Sequence, residues 1–412
     1  MKKRILLSAM GLLGLTMSAQ SVPGSVAMGA GYANQVYYKL SNQATNSYPS
    51  SSWDIAFNRQ SAFDIGIRSN DHKGISVFEA SADLNDWATI DVTQEATWTH
   101  LYNSETAWET GSFDSGSATY GWGEYNSVTH HVYGTVIFVL KYADATYKKL
   151  RIDDFWGGYT FTYSSWDGTA WSADTTTTVA NSTNTTQLYN YFSLQDNAAV
   201  VAEPASTDWD FVFTKYLTDI MGDGSMMYSV TGALHHKDIQ VAQNDEANGT
   251  DTSALEYSAD INTIGYDWKT FNMGTFTYDV NSDMAFYVKY LNGTVYRLVF
   301  NTFEGSSTGV ITFNSEDVTD QLSTVDQTAV TFGVFPNPSR DKKINIVYDA
   351  ASSTAKNSIN IYNLNGSKVY ASELASAGFN NTSVDLTSLS SGVYVLEFVS
   401  GDFKEVKKIV LQ

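Results

Sequence analysis

The sequence contains no cysteine among its 412 residues. This absence excludes a disulfide framework, a thiolate metal site, a cysteine nucleophile and a lipid attached to a cysteine after a signal segment. Charged residues are also scarce, at 17%, and the formal net charge is −20. Residues 2–4 are all basic and residues 331–412 are nearly neutral, so the acidic excess falls on the region between them. An acidic surface of this kind excludes nucleic acid as a partner and is repelled by an anionic membrane.

Motifs of catalysis are scarce as well. The chain has no His-Glu-x-x-His helix and no phosphate-binding loop. Carboxylates are plentiful, but an acidic exported protein has them whatever it does. The sequence therefore predicts a protein that is not an enzyme and has no dedicated metal site.

The N-terminus has the pattern of a signal peptide. Met1-Lys2-Lys3-Arg4 is followed by an apolar run to Met17, and cleavage is expected after Ala19. The run is too short to remain in a bilayer as a stable anchor, and no later segment is apolar enough to cross one. We expect an exported protein that is secreted or held at the cell surface, without membrane insertion.

A short aromatic motif occurs twice. Trp53-Asp54-Ile55-Ala56-Phe57 reappears as Trp209-Asp210-Phe211-Val212-Phe213. The alternation of large apolar residues predicts a strand with one face in a core. We interpret the Trp as a packing residue and the Asp as a residue that shapes the entry to the strand.

Two further pairs of segments indicate that the motif belongs to a larger duplication. Tyr120–Asn126 corresponds to Tyr266–Asn272, and Phe138–Phe155 aligns without a gap on Phe286–Phe303 with six of eighteen positions identical. Each aligned window reads as a β-hairpin. A period of domain size predicts two tandem copies rather than a solenoid.

The predicted fold class is all-β: two tandem antiparallel β domains and a small C-terminal Ig-like β-sandwich. We place the first repeat at residues 30–171 and the second at 187–314. Residues 172–186, rich in Ser and Thr, and residues 315–330 are interpreted as linkers. The last domain occupies residues 331–412.

The last domain carries four ordered motifs, namely Phe335-Pro336-Asn337-Pro338, Ile361-Tyr362-Asn363-Leu364-Asn365-Gly366, Leu389-Ser390-Ser391-Gly392-Val393-Tyr394 and Lys407-Lys408-Ile409-Val410. In this order they resemble the type A C-terminal sorting domain of type IX secretion in Bacteroidota. The resemblance implies the type IX machinery as a partner, transport across the outer membrane, and release or attachment at the cell surface.

The repeats resemble the HmuY-like haem-binding proteins. The aromatic strand Tyr189–Ser193, the Trp209 motif and the segments Asp283–Phe300 and Gly309–Phe313 carry the resemblance in the second repeat. In the first repeat, Trp53-Asp54, Trp122 and Phe138–Phe155 carry it more weakly. The family implies an all-β fold and a haem held by two axial side chains, without catalysis.

Three residues are candidate haem ligands under this resemblance. Met273 occupies the position of one family ligand, and a thioether can coordinate haem iron. The corresponding residue of the first repeat is Ser127, which cannot serve, but His130 and His131 lie close to it. The region of the second family ligand, roughly 239–262, has neither His nor Met. An ordinary core or loop methionine remains the alternative for Met273.

A second functional class stays open beside haem binding. A surface adhesin or carbohydrate-binding protein would keep the fold without haem and bind glycans through tryptophans. Aromatic side chains in polar surroundings can stack on sugar rings, or they can simply anchor loops. The pairs His130-His131 and His235-His236 are expected at the surface or in turns. The tryptophans that occur only in the first repeat are Trp87, Trp98, Trp108, Trp156, Trp166 and Trp171.

Overall fold

The computed structural model describes residues 21–60, 64–323, 331–350, 356–375, 378–400 and 403–412. The predicted signal peptide and residues 324–330 of the predicted second linker lie outside these residues. The chain divides into two compact units, Met1–Val318 and Thr319–Gln412. Both consist almost entirely of antiparallel β-strands, so the all-β prediction is confirmed.

The larger unit begins with a short N-terminal segment (residues 22–50) that contains β1 (Val22–Ala27), β2 (Asn34–Tyr38) and β3 (Thr45–Pro49). We call residues 51–204 the first half. Its strands are β4 (Ile55–Asn58), β5 (Ile67–Ser69), β6 (Ser76–Ser81), β7 (Thr99–Leu101), β8 (Gly123–Tyr125), β9 (Val132–Gly134), β10 (Ile137–Lys141), β11 (Tyr147–Phe155), β12 (Gly158–Ser165), β13 (Thr175–Ala180), β14 (Tyr189–Ser193) and β15 (Ala198–Val200).

We call residues 205–318 together with the N-terminal segment the second half. Its further strands are β16 (Phe211–Asp219), β17 (Met227–His235), β18 (Ile239–Asp245), β19 (Lys269–Asn272), β20 (Thr277–Val280), β21 (Met284–Tyr290), β22 (Val295–Phe303) and β23 (Val310–Asp317). Short 3₁₀ helices connect strands in both halves, at Ala30–Tyr32, Leu84–Ala88, Val92–Thr97, Ser112–Ser115, Asn181–Thr183, Ser206–Asp208 and Gly305–Ser307.

Each half contains one small and one large sheet in the same strand order. The small sheets run β5-β4-β14-β15 in the first half and β17-β16-β2-β3 in the second. The large sheets run β13-β12-β11-β10-β6-β7 and β1-β23-β22-β21-β18. By their positions in these strand orders, β1, β2 and β3 correspond to β13, β14 and β15. The chain therefore forms two copies of one fold, and its N-terminal strands complete the second copy.

The pairing of the aromatic strands shows how the copies are completed. In the second half, Phe211 pairs with Tyr38 of the N-terminal segment. In the first half, Ile55 pairs with Phe192. The strand containing Phe192, which we predicted as the start of the second repeat, thus belongs to the first half. Contact between strands, rather than order along the chain, sets the boundary of each copy.

The stretch 172–186 also differs from its interpretation as a linker, because it contains β13. Its threonines pair with those of β12: the Oγ1 atoms of Thr160 and Thr178 are 2.9 Å apart, and those of Thr162 and Thr176 are 2.7 Å apart. β-branched residues favour extended backbone and pack across neighbouring strands. The low-complexity composition concealed this strand. The first residues of the predicted second linker, up to Asp317, likewise continue β23.

Buried side chains form three layers of core between the four sheets. The first lies between the two sheets of the first half and includes Phe57, Trp122 and Phe161. The second lies between the two sheets of the second half and includes Phe213 and Trp268. The third fills the space between the two small sheets, where both repeated tryptophans meet several tyrosines. That central layer includes Tyr37, Trp53, Tyr189, Tyr191, Trp209 and Tyr216.

The repeated Asp has the structural role that the sequence predicts. The buried carboxylate of Asp54 lies 2.6 Å from Lys73 Nζ and accepts the backbone N–H of Leu194 at 2.6 Å. The buried carboxylate of Asp210 lies 2.7 Å from Lys39 Nζ and accepts the N–H of Leu40 at 2.7 Å. Each Asp therefore holds the residues that follow the aromatic partner strand. In the second half those residues belong to the N-terminal segment.

The smaller unit is a β-sandwich with its own apolar core. Its elements are α1 (Thr319–Ser323), β24 (Thr331–Phe335), β25 (Lys343–Ala350), β26 (Asn357–Asn363), β27 (Lys368–Leu374), β28 (Gly378–Asp385), β29 (Gly392–Ser400) and β30 (Phe403–Leu411). They form the sheets β24-β25-β28 and β27-β26-β29-β30. Ile346, Ile361 and Phe398 are buried in the core. The predicted small C-terminal β-sandwich is confirmed, with one sheet of three strands and one of four.

Candidate functional site

The predicted ligand residues lie on corresponding hairpins of the two halves. In the first half, β8 and β9 form a hairpin in which Tyr125 pairs with Val132. In the second half, β19 and β20 form a hairpin in which Phe271 pairs with Tyr278. His130 and His131 lie in the first of these hairpins and Met273 lies in the second. The structure therefore does not bring the histidines and the methionine together.

Met273 lies in the turn between β19 and β20. Its side chain is 73% exposed, so it is not a core methionine, and the alternative of an ordinary loop methionine remains. The preceding residue shapes the turn, because Asn272 Oδ1 accepts the backbone N–H of Gly274 at 2.9 Å. Phe276, in the same turn, has a φ of 57° and is also exposed. The hairpin end thus presents a thioether and an aromatic ring to solvent.

His130 and His131 are each held by a neighbouring side chain. The hydroxyl of Tyr125 lies 2.6 Å from Nδ1 of His130, which is exposed. Nδ1 of His131 lies 2.7 Å from the carboxylate of Asp154. The His131 ring also stacks on Trp156, with centroids 4.9 Å apart and planes inclined by 3°. This pair has the turn location that the sequence predicts.

His235 and His236 do not have the predicted surface location, because both are buried at the end of β17. Nδ1 of His235 lies 2.9 Å from the carbonyl oxygen of His236. The ring of His236 packs edge-on against Trp209 at 4.6 Å, and burial lowers the pKa of His236 to about 4. Burial lowers the pKa of His235 as well, and the ring of His236 lies against the central core through Trp209.

A groove of about 720 Å³ opens between the β16–β17 hairpin and β19 of the second half. This volume is typical of small-molecule sites, which are mostly apolar with a few polar groups. The aromatic side chains that line the groove are Tyr32, Tyr228, Tyr266, Phe271 and Tyr278, and the charged ones are Lys215, Asp267 and Lys269.

Lys269 is the most unusual group of the groove. Its Nζ donates hydrogen bonds to the carbonyl oxygens of Thr231, at 2.5 Å, and Tyr266, at 3.1 Å. It also lies 4.3 Å from the ring centroid of Trp268 and 4.9 Å from that of Phe303. Burial lowers the pKa of Lys269 to about 7, and Asp267 opposes the shift. The groove therefore contains an amine that gains or loses its charge near neutral pH.

Exposed apolar side chains continue from the groove along both hairpins. Met273 lies two residues beyond Phe271, which lines the groove. On the other side, Ile220 and Tyr228 line the groove, and Met226 is exposed on the same hairpin. Adjoining exposed apolar side chains commonly mark a binding surface.

The side chains in and beside the groove include types that can hold a haem group. Haem iron is held in proteins by histidine, methionine, cysteine or tyrosine side chains. Tyrosine side chains line the groove, and Met273 lies on the adjacent hairpin end. Lys215 and Lys269 supply the cationic groups that a haem propionate requires. Among the described residues that line the groove, none is a histidine.

The sequence analysis does not predict the groove, although one difference between the two copies indicates it. In the pair Tyr120–Asn126 and Tyr266–Asn272, Gly123 of the first copy is replaced by Lys269 of the second. The first copy folds with glycine at this position, so the shared fold does not require a lysine there. A lysine next to a buried tryptophan therefore indicates another role. The walls formed by Tyr32 and Tyr228 had no such signal, since separate parts of the chain supply them.

The tryptophans of the first repeat are mostly loop anchors. Trp108 Nε1 donates to the carbonyl oxygen of His235 at 2.9 Å, and Trp171 Nε1 donates to that of Ile90 at 2.7 Å. Trp87 Nε1 donates to the carboxylate of Asp174 at 3.0 Å. Trp156 differs from them, with an exposure of 62%.

One segment of the described residues has the spacing of a catalytic motif. Gly305-Ser306-Ser307-Thr308-Gly309 has the spacing of a serine-hydrolase elbow. It forms a 3₁₀ turn between two antiparallel strands instead of a strand-to-helix turn, and Ser307 Oγ donates to Glu304 O at 2.9 Å. The described part of the chain has no group of three or more His, Asp or Glu side chains that could hold a metal ion.

Residues 333–412 match the family described as the secretion system C-terminal sorting domain. The smaller unit is a type IX sorting domain. The protein is therefore exported by type IX secretion, to the cell surface or into the medium, as the sequence predicts. None of the helices in the described ranges is long and apolar enough to cross a membrane. No curated protein matches the chain.

Several solved structures give distant matches. A tetra-tandem repeat from the extending region of a large adhesion protein is 9% identical, covering 95% of this chain and 82% of that chain, with a TM-score of 0.20. The BSP domain of a biofilm-associated protein is 9% identical, with coverages of 100% and 84% and a TM-score of 0.23. Dimeric latent PorU from Porphyromonas gingivalis is 10% identical, with coverages of 84% and 31% and a TM-score of 0.17. Similarity this low carries no argument about function.

Proposed function

We propose that this exported protein is a binding protein that takes haem or a related tetrapyrrole in the aromatic groove of its second half, without catalysing a reaction. The observation that carries the proposal is the groove itself. Its aromatic walls suit a flat apolar ligand, and its lysines suit the carboxylates of such a ligand. The resemblance of the repeats to HmuY-like proteins supplies the ligand class.

In this proposal, each group of the groove has a separate role. Tyr228 and Phe271 contact the faces of the ligand, and Lys269 pairs with an acidic group. Met273, which is exposed at the adjacent hairpin end, would hold the iron. Bound haem would supply its iron and ring system for storage or transfer, and the protein would supply binding and orientation alone.

Absorption spectroscopy tests this proposal directly. Haemin is titrated into the full chain, and spectra are recorded in both iron oxidation states. We expect saturable binding and a shifted Soret band, both lost or strongly weakened in Met273→Ala. His131→Ala is the matched control, because His131 lies on the corresponding hairpin of the first half. Its spectrum should equal that of the wild type.

The other outcomes would overturn a stated part of the proposal. Absence of a saturable band would remove haem as the ligand. A band that survives in Met273→Ala but disappears in His131→Ala would place the site in the first half. A band that survives in both variants would exclude Met273 and His131, the two predicted ligand positions that these substitutions test.

A second candidate function is glycan binding by the first half. A specific observation favours it: three tryptophans that have no counterparts in the second half surround one surface depression. An adhesin that binds sugars and a haem-binding protein are not exclusive, because the depression and the groove lie in different halves of the molecule.

A further inference from the structure

Two segments of the first half come together where the second half has no equivalent structure. One is the segment 84–91, which follows β6. The other is the β12–β13 connection, residues 166–174. In the second half, β1 takes the place of β13 and comes from the N-terminus, so β23 has no such connection to it. A surface built from these segments is not required by the shared fold.

The two segments enclose a depression of about 610 Å³. Trp166 and Trp171 face each other across the β12–β13 connection, with ring centroids 5.2 Å apart and planes inclined by 60°. Trp87 lines the opposite side from the segment 84–91. All three indoles are partly exposed.

A buried lysine fixes the indoles from below. Nζ of Lys149 donates to the carbonyl oxygen of Trp87 at 2.6 Å. The same atom lies 4.5 Å from the ring centroid of Trp87 and 4.9 Å from that of Trp171. Cation–π contacts of this kind are strongest when the cation is desolvated. Lys149 therefore contacts two of the three indoles, Trp87 and Trp171, from the protein interior.

The corresponding residue of the second half behaves differently. Arg297 occupies the position of Lys149 in the aligned hairpins and pairs with the carboxylate of Glu246. An ion pair satisfies the cation there, whereas two indole rings and a carbonyl oxygen surround it in the first half. Both side chains, Lys149 and Arg297, are basic, but only Lys149 in the first half contacts an aromatic surface in this way.

Polar groups complete the rim of the depression. Asp91, Asp174, Thr89 and Thr169 line it beside the indoles. The Asp174 carboxylate also accepts Trp87 Nε1, and Asp91 Oδ1 accepts the backbone N–H of Thr93, so each carboxylate has lone pairs left for a ligand. A sugar ring has an apolar C–H face that stacks on an indole and an equatorial belt of hydroxyls that donate to carboxylates. The rim carboxylates and the net charge of −20 disfavour acidic polymers. Neutral sugars fit both features.

We propose that this depression, formed by Trp87, Trp166, Trp171, Lys149 and the carboxylates of Asp91 and Asp174, binds a neutral oligosaccharide. Trp166 stacks on a sugar ring, and the two carboxylates accept hydrogen bonds from its hydroxyls. The proposal rests on the second candidate function given above and is independent of haem binding. It assigns that function to one site.

The test uses neutral hexasaccharides of glucose, xylose, mannose and N-acetylglucosamine as probes. Each is titrated into the full chain while tryptophan fluorescence or heat is recorded. We expect at least one to bind saturably, and Trp166→Ala to weaken that binding about tenfold or more. Trp156→Ala is the matched control, because Trp156 is an exposed indole of the same half that does not line the depression.

The outcomes separate the site from the function. Binding that is lost in Trp166→Ala and kept in Trp156→Ala supports the proposal. Binding kept in Trp166→Ala overturns the site and leaves glycan binding to another surface. No binding of any probe by the wild type overturns both. Haemin titration of Trp166→Ala should match the wild type, and circular dichroism checks that the variant is folded.

Discussion

The two halves of the larger unit share one fold and differ in how they use its edges. Both place a tryptophan and a buried, lysine-paired aspartate at the start of the first aromatic strand. The first half adds loops rich in tryptophan, whereas the second half has an aromatic groove with a lysine of lowered pKa. The common parts stabilise the fold, and the parts that differ are where we propose binding.

The halves also differ in chain connectivity. The first half is one continuous stretch, whereas the second is assembled from both ends of the unit. The corresponding Lys–Asp ion pairs therefore connect different parts of the chain in the two halves. Lys73 and Asp54 join residues of the first half, but Lys39 and Asp210 attach the N-terminal segment to the second.

The largest effect is expected from removing the two aspartates. Asp54→Ala and Asp210→Ala each leave a lysine and a backbone N–H without the carboxylate. Loss of one partner of a buried pair costs about 3–5 kcal/mol in unfolding free energy. Urea denaturation measures this loss. In addition, Asp210→Ala should make residues 22–50 sensitive to protease under native conditions, whereas Asp54→Ala should not.

Equal protease sensitivity in the two variants would contradict the difference in connectivity. Asp54→Asn and Asp210→Asn are suitable controls, since asparagine keeps one hydrogen-bond acceptor and removes the charge. Their losses should be smaller than those of the alanine variants.

A second difference between the halves predicts a dependence on pH. Glu203 precedes Pro204 in the first half, whereas Tyr48 precedes Pro49 in the N-terminal segment. Burial raises the pKa of the Glu203 carboxyl from 4.5 to about 8. Between these values the unfolded chain loses the proton and the folded chain keeps it, so stability falls as pH rises. Glu203→Gln should reduce that fall and be more stable than the wild type at pH 8.

Melting temperatures at pH values from 4.5 to 8.5 measure this effect. Asp114, whose pKa burial raises to about 7, contributes in the same direction, so a smaller slope should remain in Glu203→Gln. Identical slopes for the variant and the wild type would show that Glu203 is not protonated in the folded protein.

The smallest effect is expected at the ends of the corresponding hairpins. Met273→Ala and His130→Ala remove exposed side chains, and each should change the free energy of unfolding by less than about 0.5 kcal/mol. Chemical denaturation measures both. A larger loss in either variant would mean that the hairpin end supports the fold, and it would weaken the argument that these positions are available for binding.

The sequence predicts most of the local structure of this protein. The repeated aromatic motifs identify the β-sheets of both halves, because alternation of large apolar residues is a local signal. The sorting domain was identified through four short ordered motifs. The strand β13 was missed, since threonine pairs look like low complexity until the partner strand is known.

Assembly over long distances was beyond the sequence alone. The placement of Tyr38 beside Phe211 depends on which strands meet, and no local pattern encodes it. The groove could not be predicted for the same reason. Three of its lining residues, Tyr32, Tyr228 and Tyr278, come from segments that are distant in the sequence. Met273 was located by resemblance, but its exposed position at the hairpin end became apparent only in three dimensions.

The pairing of β1 with β23 has a consequence for how the chain folds during export. Val22 and Ser315 are partners separated by 293 positions in the sequence. Contacts of such long range are slow to form, because a large loop must close first. A chain that emerges N-terminus first can fold its first half early, while residues 22–50 wait for the last strand. The earliest residues to emerge are thus among the last to be fixed, and removing them would leave the second half open at one edge.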